Sequence, residues 1–191
     1  MYAETSSRHH SETCAIAFAP RWFDPARQPL RQPPAALRPW LFAAGSLTRH
    51  LTAAADGDFH VERLRQYWAR PTLSEARLLD SDPSRHALIR EVILWGRGQP
   101  WVYARSVLPL QLLTGDLRRL RRLRDASLGA LLFRYPGLTR TPFELARVET
   151  TTGSQPLWGR RSRFAIGARS LIVGEIFLDA FVTSDAVRRH P

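Results

Sequence analysis

Two strand-like apolar runs in this chain carry ionisable residues where core side chains are expected. One is Leu171-Ile172-Val173-Gly174-Glu175-Ile176-Phe177-Leu178, apolar except for Glu175. The other is Ala87-Leu88-Ile89-Arg90-Glu91-Val92-Ile93-Leu94-Trp95, which holds the adjacent pair Arg90 and Glu91. Burying a charge is costly unless it has a partner, so these positions constrain the fold and point to a site. Alternate residues of a strand share a face. Glu175 therefore shares a face with Leu171, Val173 and Phe177, and the other face is apolar too, as in a central strand. Arg90 falls with Leu88, Val92 and Leu94, and Glu91 with Ile89, Ile93 and Trp95. Either one face of this strand buries a charge, or one face of the sheet is open to water.

The remaining pattern predicts an α+β chain with an antiparallel sheet. The run 86–95, the turn Gly96-Arg97-Gly98-Gln99 and the run 100–108 read as a hairpin. So do Leu157–Phe164, the turn at Gly167-Ala168-Arg169 and the return run Leu171–Leu178 through Glu175. Asp58–Trp68 alternates, with an irregularity near Glu62-Arg63, and Phe143–Thr150 reads as a further strand. Helices are expected at Pro34–Ala44, at Leu47–Ala55 capped by Ser46, and at 72–79. The first two form a helix-turn-helix, either a structural hairpin or lid or a DNA-binding module. Leu117, Leu120 and Leu123 sit three apart among five arginines, which reads as an amphipathic helix. Helices in blocks rather than alternating with strands give the α+β class.

Three segments are expected: a flexible Pro- and Arg-rich extension over 1–33, one folded domain over 34–182, and a frayed tail over 183–191. Hydrophobic content of 44% supports a core of that size. The net charge is +11, all of its permanent cations are arginine, and there is no lysine. Schiff-base chemistry on this chain is thereby excluded. A single cysteine, Cys14, excludes an intrachain disulfide. His9-His10 read as exposed and inert. No secretory leader, membrane span, phosphate loop, nucleophile elbow or zinc motif is visible, so a cytoplasmic protein without metal or cofactor is expected. The arginine run 118–124 is read as a solvated face. It is expected to bind no nucleic acid and at most to touch an anionic membrane surface transiently. The chain is expected to be a monomer.

A buried guanidinium and a buried carboxylate facing one cavity would suit a small anion that also offers a hydroxyl. Arg90 and Glu175 are the candidates. Solvent exposure of Arg90, and an ion pair of Glu175 with an arginine, are the plain structural alternatives. Arg105, on the strand that pairs with the Arg90 run, is a candidate second clamp, or a partner of Glu91. Arg160, Arg161 and Arg163 are read first as surface charge.

The order and spacing of several of these pieces resemble the bacterial chorismate pyruvate-lyase family over about Trp40–Phe181. They are Gly45-Ser46-Leu47-Thr48-Arg49, Arg90-Glu91-Val92-Ile93-Leu94 with Gln99-Pro100-Trp101 and Arg105, Leu128-Gly129 with Leu132-Phe133, and Leu157-Trp158-Gly159-Arg160-Arg161-Ser162-Arg163 before Glu175. The resemblance implies one antiparallel sheet of about six strands covered by helices, with helical flaps over an internal pocket and no cofactor. It implies conversion of chorismate to 4-hydroxybenzoate and pyruvate, the first committed step of ubiquinone synthesis. On it, Arg90 corresponds to the residue holding the ring carboxylate and Glu175 to the carboxylate near the ring hydroxyl. Leu47 and Leu128 correspond to flap and wall positions that touch the ligand. Arg105, or an arginine of the 160–163 cluster, would neutralise the pyruvyl carboxylate. The alternative is a non-catalytic module of related fold that binds a small aromatic acid as an effector. The Pro-rich segment ahead of the domain is read as too short for the winged helix that usually precedes such modules.

Overall fold

The computed structural model describes residues 20–149, 155–189 and 191. His9, His10, Cys14 and most of the expected extension lie outside them. The described chain forms one antiparallel sheet of eight strands, two more than expected. They are β1 (Trp22–Phe23), β2 (Phe59–Ala69), β3 (Ala87–Gly96), β4 (Gln99–Pro109), β5 (Leu138–Arg140), β6 (Glu144–Val148), β7 (Leu157–Ile166) and β8 (Arg169–Phe177). Their spatial order is β1-β6-β7-β8-β4-β3-β2, and β5 pairs with β7. β5 and β6 thus run along the same edge of β7, end to end.

Two short hairpins build the centre. In the β3–β4 turn, Arg97 (φ 51°) and Gly98 (φ 67°) both adopt the left-handed backbone of a two-residue hairpin loop. The register then slips by one residue: Trp95 pairs with Pro100, but Leu94 pairs with Val102. Trp101 is the extra residue, a β-bulge. It is buried in the core against Phe181, with ring centroids 5.3 Å apart. Gly96 makes room for it, since a Cβ there would lie 2.3 Å from the Trp101 ring. The irregularity expected in β2 is a second register shift, between Arg63 and Arg65.

Short helices cover the sheet: α1 (Arg38–Leu41), α2 (Leu47–Ala54), α3 (Leu73–Leu79), α4 (Leu128–Leu132) and α5 (Asp179–Val182). None is long and apolar enough to cross a membrane. The arginine-rich segment is a 3-10 helix over Gly115–Arg122. Three-residue spacing is the 3-10 period, so Leu117 and Leu120 stack inward on one line while the arginines face out. α3 opens on a capping box, in which Thr72 Oγ1 accepts from Glu75 N (3.2 Å) and Thr72 N donates to the Glu75 carboxylate (2.9 Å).

Both faces of the sheet are covered. On one, Val92, Leu94, Ala104 and Phe177 pack with Trp40, Leu41, Leu47, Leu51 and Phe181. Beside them, Leu88, Leu108 and Phe164 pack with Leu117, Leu120, Leu128 and Leu132. On the other face, Ile93, Tyr103 and Ile176 form one cluster, and Leu79 of α3 joins Ile89, Val107 and Ile172 in another. The domain limits are wider than the composition suggests. Phe23 is buried where β1 pairs with β6. The expected frayed tail instead folds back: Ala186 and Val187 are buried, and the Trp40 indole donates to the Val187 carbonyl at 2.8 Å.

Candidate active site

Between the two apolar clusters of the first face lies a cavity. Its floor is the sheet, through Arg90, Val92, Ala104, Ser106, Arg160, Ser162, Val173 and Glu175. Its roof is Leu47 and Thr48 of α2 and Leu128, Gly129 and Leu132 of α4. The two roof helices are tied by a 2.7 Å hydrogen bond between Thr48 Oγ1 and Ser127 Oγ. Ser127 also caps α4, accepting from Ala130 N at 3.1 Å.

Strand register brings Arg90 and Glu175 together. Arg90 pairs with Ser106 and Ser106 with Val173, whereas Glu175 pairs with Ala104. Both side chains therefore stand on the same face, two strands apart and two residues offset. Sheet spacing puts their backbones about 12 Å apart. Arg90 is buried, so solvent exposure is ruled out for it. Its Nη2 donates to the carbonyls of Leu123 (3.2 Å), Arg124 (2.9 Å) and Ala126 (2.9 Å). Its Nε is buried without a hydrogen-bond partner, and no carboxylate pairs with it among the described residues. Burial pushes this guanidinium down to about 10; the Arg63 charge adds to the fall and Asp125 opposes it. It is a cation held in place by main-chain carbonyls, with donor capacity unspent.

Glu175 does have an arginine, which is Arg160 directly opposite it on β7. Arg160 Nε donates to Glu175 Oε2 at 2.7 Å. Arg160 Nη1 donates to the carbonyls of Trp40 (2.7 Å), Ala43 (3.3 Å) and Leu41 (3.5 Å), closing the C-terminal end of α1. Gly159 beside it lets β8 approach closely, because a Cβ there would come within 2.9 Å of the Glu175 carbonyl oxygen. Phe143 also lines this end of the cavity, with the guanidiniums of Arg160 and Arg140 at 4.5 Å and 4.1 Å from its ring centre. Ser162 Oγ, on the same floor, is buried with no partner among the described residues.

Arg105 is not in this cavity. The bulge at Trp101 sets it opposite Glu91 rather than Arg90, and a one-residue slip turns a side chain to the other face. There Arg105 donates to Glu75 (2.8 and 3.2 Å) and Glu91 (2.7 Å), and Arg65 also donates to Glu91. Arg161 is buried on that second face as well. Its Nε donates to Glu144 at 2.6 Å and its guanidinium lies 4.9 Å from the Trp22 ring centre. It is therefore not surface charge. Of the expected site residues, Leu47, Arg90, Leu128 and Glu175 converge and Arg105 does not. Sequence reasoning left Arg160 within a cluster of three and passed over Arg140 and Phe143. Parity with Phe164 carried a signal for Arg160; nothing local carried one for Arg140.

An antiparallel sheet with helices roofing a cavity, whose buried arginine has no carboxylate partner among the described residues, defines an α+β protein with an internal candidate site. The chain belongs to the chorismate lyase family, whose model matches residues 21–187. It is 44% identical over 144 residues to a probable chorismate pyruvate-lyase of Pseudomonas aeruginosa (strain UCBPP-PA14), covering 73% of this chain and 81% of that one. The same identity over 154 residues links it to a probable chorismate pyruvate-lyase of Methylococcus capsulatus (strain ATCC 33009 / NCIMB 11132 / Bath), over 75% and 95% of the two chains. Among solved structures, PhnF from Mycobacterium smegmatis matches with a TM-score of 0.53 at 16% identity, over 72% of this chain and 65% of that one. The effector domain of PhnF matches with a TM-score of 0.50 at 17% identity, over 71% and 90%. These two likenesses concern the fold alone.

Proposed function

We propose that this protein is a lyase that splits chorismate into 4-hydroxybenzoate and pyruvate. The observation that carries the reading is Arg90, a buried guanidinium without an acid partner among the described residues, sharing one cavity with Glu175. A ring carboxylate takes Arg90 in a charge-assisted, two-point contact. The ring hydroxyl, para to that carboxylate, then faces Glu175. The enolpyruvyl ether sits on the ring carbon beside the hydroxyl-bearing one. In the reaction the ether C–O bond breaks and the hydroxyl-bearing carbon loses its hydrogen. That hydrogen leaves as a proton to Glu175, with a proton then returned to the methylene of the released enolpyruvate, or passes directly to that methylene as the group departs. The ring becomes aromatic and the side chain becomes pyruvate; a stepwise and a concerted course both balance.

Aromatisation drives the step, so the protein's tasks are to bind, orient and exclude water. The apolar walls Leu47, Val92, Leu94, Leu128 and Phe164 fit the flat ring, and the two-helix roof makes product release slow. Purified protein incubated with chorismate should yield pyruvate and 4-hydroxybenzoate in equal amounts. Tight binding of 4-hydroxybenzoate with no pyruvate formed would overturn the reading. It would leave the effector-binding alternative, which the fold shared with the PhnF effector domain supports.

A further inference from the structure

We infer that Arg140 is the second anion-binding residue of this site and receives the carboxylate of the enolpyruvyl group while Arg90 holds the ring carboxylate. The inference deepens the proposed chorismate reading and rests on it. Among the described residues, the charged groups that line the cavity are Arg90, Arg140, Arg160 and Glu175. Three guanidiniums against one carboxylate leave an excess of two positive charges, the complement of a dianion. That excess is divided between the two ends of the cavity. Arg90 supplies one cation at the end near Ala126 and Ser127. At the Glu175 end, Arg160 is already committed to Glu175 and to the carbonyls of Trp40, Leu41 and Ala43. The Arg140 guanidinium makes no hydrogen bond or ion pair among the described residues and lies 4.1 Å from the centre of the Phe143 ring.

Substrate connectivity puts the second carboxylate at this end. The ether oxygen is on the carbon next to the hydroxyl-bearing one, so the enolpyruvyl group lies beside Glu175 whenever the ring carboxylate is on Arg90. Arg140 ends the short strand β5, opposite Phe164, and is half-buried, where an entering side chain can reach it. Burial and the neighbouring Arg160 charge hold its guanidinium below the usual arginine range, against the pull of Glu175. A bound carboxylate relieves that repulsion. After cleavage the ring product keeps only the carboxylate held by Arg90, and pyruvate leaves with the charge that Arg140 held.

The test compares a dianion with a monoanion. Losing one charge-assisted hydrogen-bonding partner weakens binding by about tenfold to a hundredfold. Arg140→Gln should lower kcat/KM for chorismate by that factor and leave the Kd of 4-hydroxybenzoate within about twofold. It should also weaken binding of 3-(carboxymethoxy)-4-hydroxybenzoate, an inert dianion with its second carboxylate on an ether beside the hydroxyl. Arg140→Lys should recover part of that affinity by restoring the charge. Equal losses for monoanion and dianion, or no loss for either, would overturn the assignment. The binding arm needs no turnover, so it judges Arg140 even if the pyruvate assay fails.

Discussion

Arg90 and Glu91 are consecutive on β3 and equally buried, at 2% exposure each, yet their partners are opposite in kind. Glu91 is held by two arginines, Arg65 and Arg105. Arg90 is held by three carbonyls and, among the described residues, no carboxylate. One strand thus sends a compensated charge through one face and an uncompensated one through the other. The uncompensated one lines the candidate site.

For Arg90→Ala, the expected outcome is a loss of about 2–5 kcal/mol in 4-hydroxybenzoate affinity, measured by titration calorimetry. The wild-type protein should also melt at a higher temperature when the product is added, and the variant should not. Affinity close to wild type in the variant would remove Arg90 from the ligand contact.

Glu175→Gln keeps an acceptor for Arg160 but removes the carboxylate proposed to take the proton. Turnover should fall about a hundredfold or more, while product affinity changes little. Single-turnover rates with chorismate separate this from a binding effect. A variant as fast as wild type would confine Glu175 to its ion pair with Arg160.

Ser127→Ala removes both the cap of α4 and the link to Thr48 on α2. A lost cap is worth about 1 kcal/mol, so product release should quicken by about fivefold, and kcat with it if release limits turnover. Stopped-flow displacement of bound product reads this directly; an unchanged off-rate would show that the roof opens by another route.

Glu91 gives a pH test on the second face. Burial works to raise its carboxyl, but the hydrogen bonds from Arg65 and Arg105 outweigh it and hold the group below its ordinary 4.5. The unfolded chain therefore binds the proton more readily. The stability Glu91 contributes is present above about pH 4.5 and is lost as the pH falls through its lower folded value. Glu91→Gln should flatten that part of the acid-unfolding curve and lower stability at pH 7. Urea melts at several pH values check the slope, and parallel curves for the two proteins would contradict it.

Much of this was legible in the residues themselves. Period-two alternation and the turns at Arg97-Gly98 and Gly167 set the two central hairpins, because the backbone chemistry of a tight turn is local. Arg90 and Glu175 stood out because a charge in an apolar strand is expensive anywhere. The leucine spacing of three at 117, 120 and 123 was legible too, although it marked a 3-10 helix rather than an α-helix.

Arg105 shows where sequence stops. Parity orders residues along one strand, but the face they share with the next strand depends on register, and register here turns on one extra residue. Trp101 takes that place because the space above Gly96 admits its ring and Phe181, near the end of the chain, packs against it. Arg140 was invisible for the same reason: its neighbours along the chain are threonines and a proline, while its surroundings in the fold are Phe143, Arg160 and Glu175. The sequence by itself determined the two central hairpins and set Arg90, Glu91 and Glu175 within apolar strands. Only tertiary packing decided which of them meet, since that depends on contacts between residues far apart in the chain.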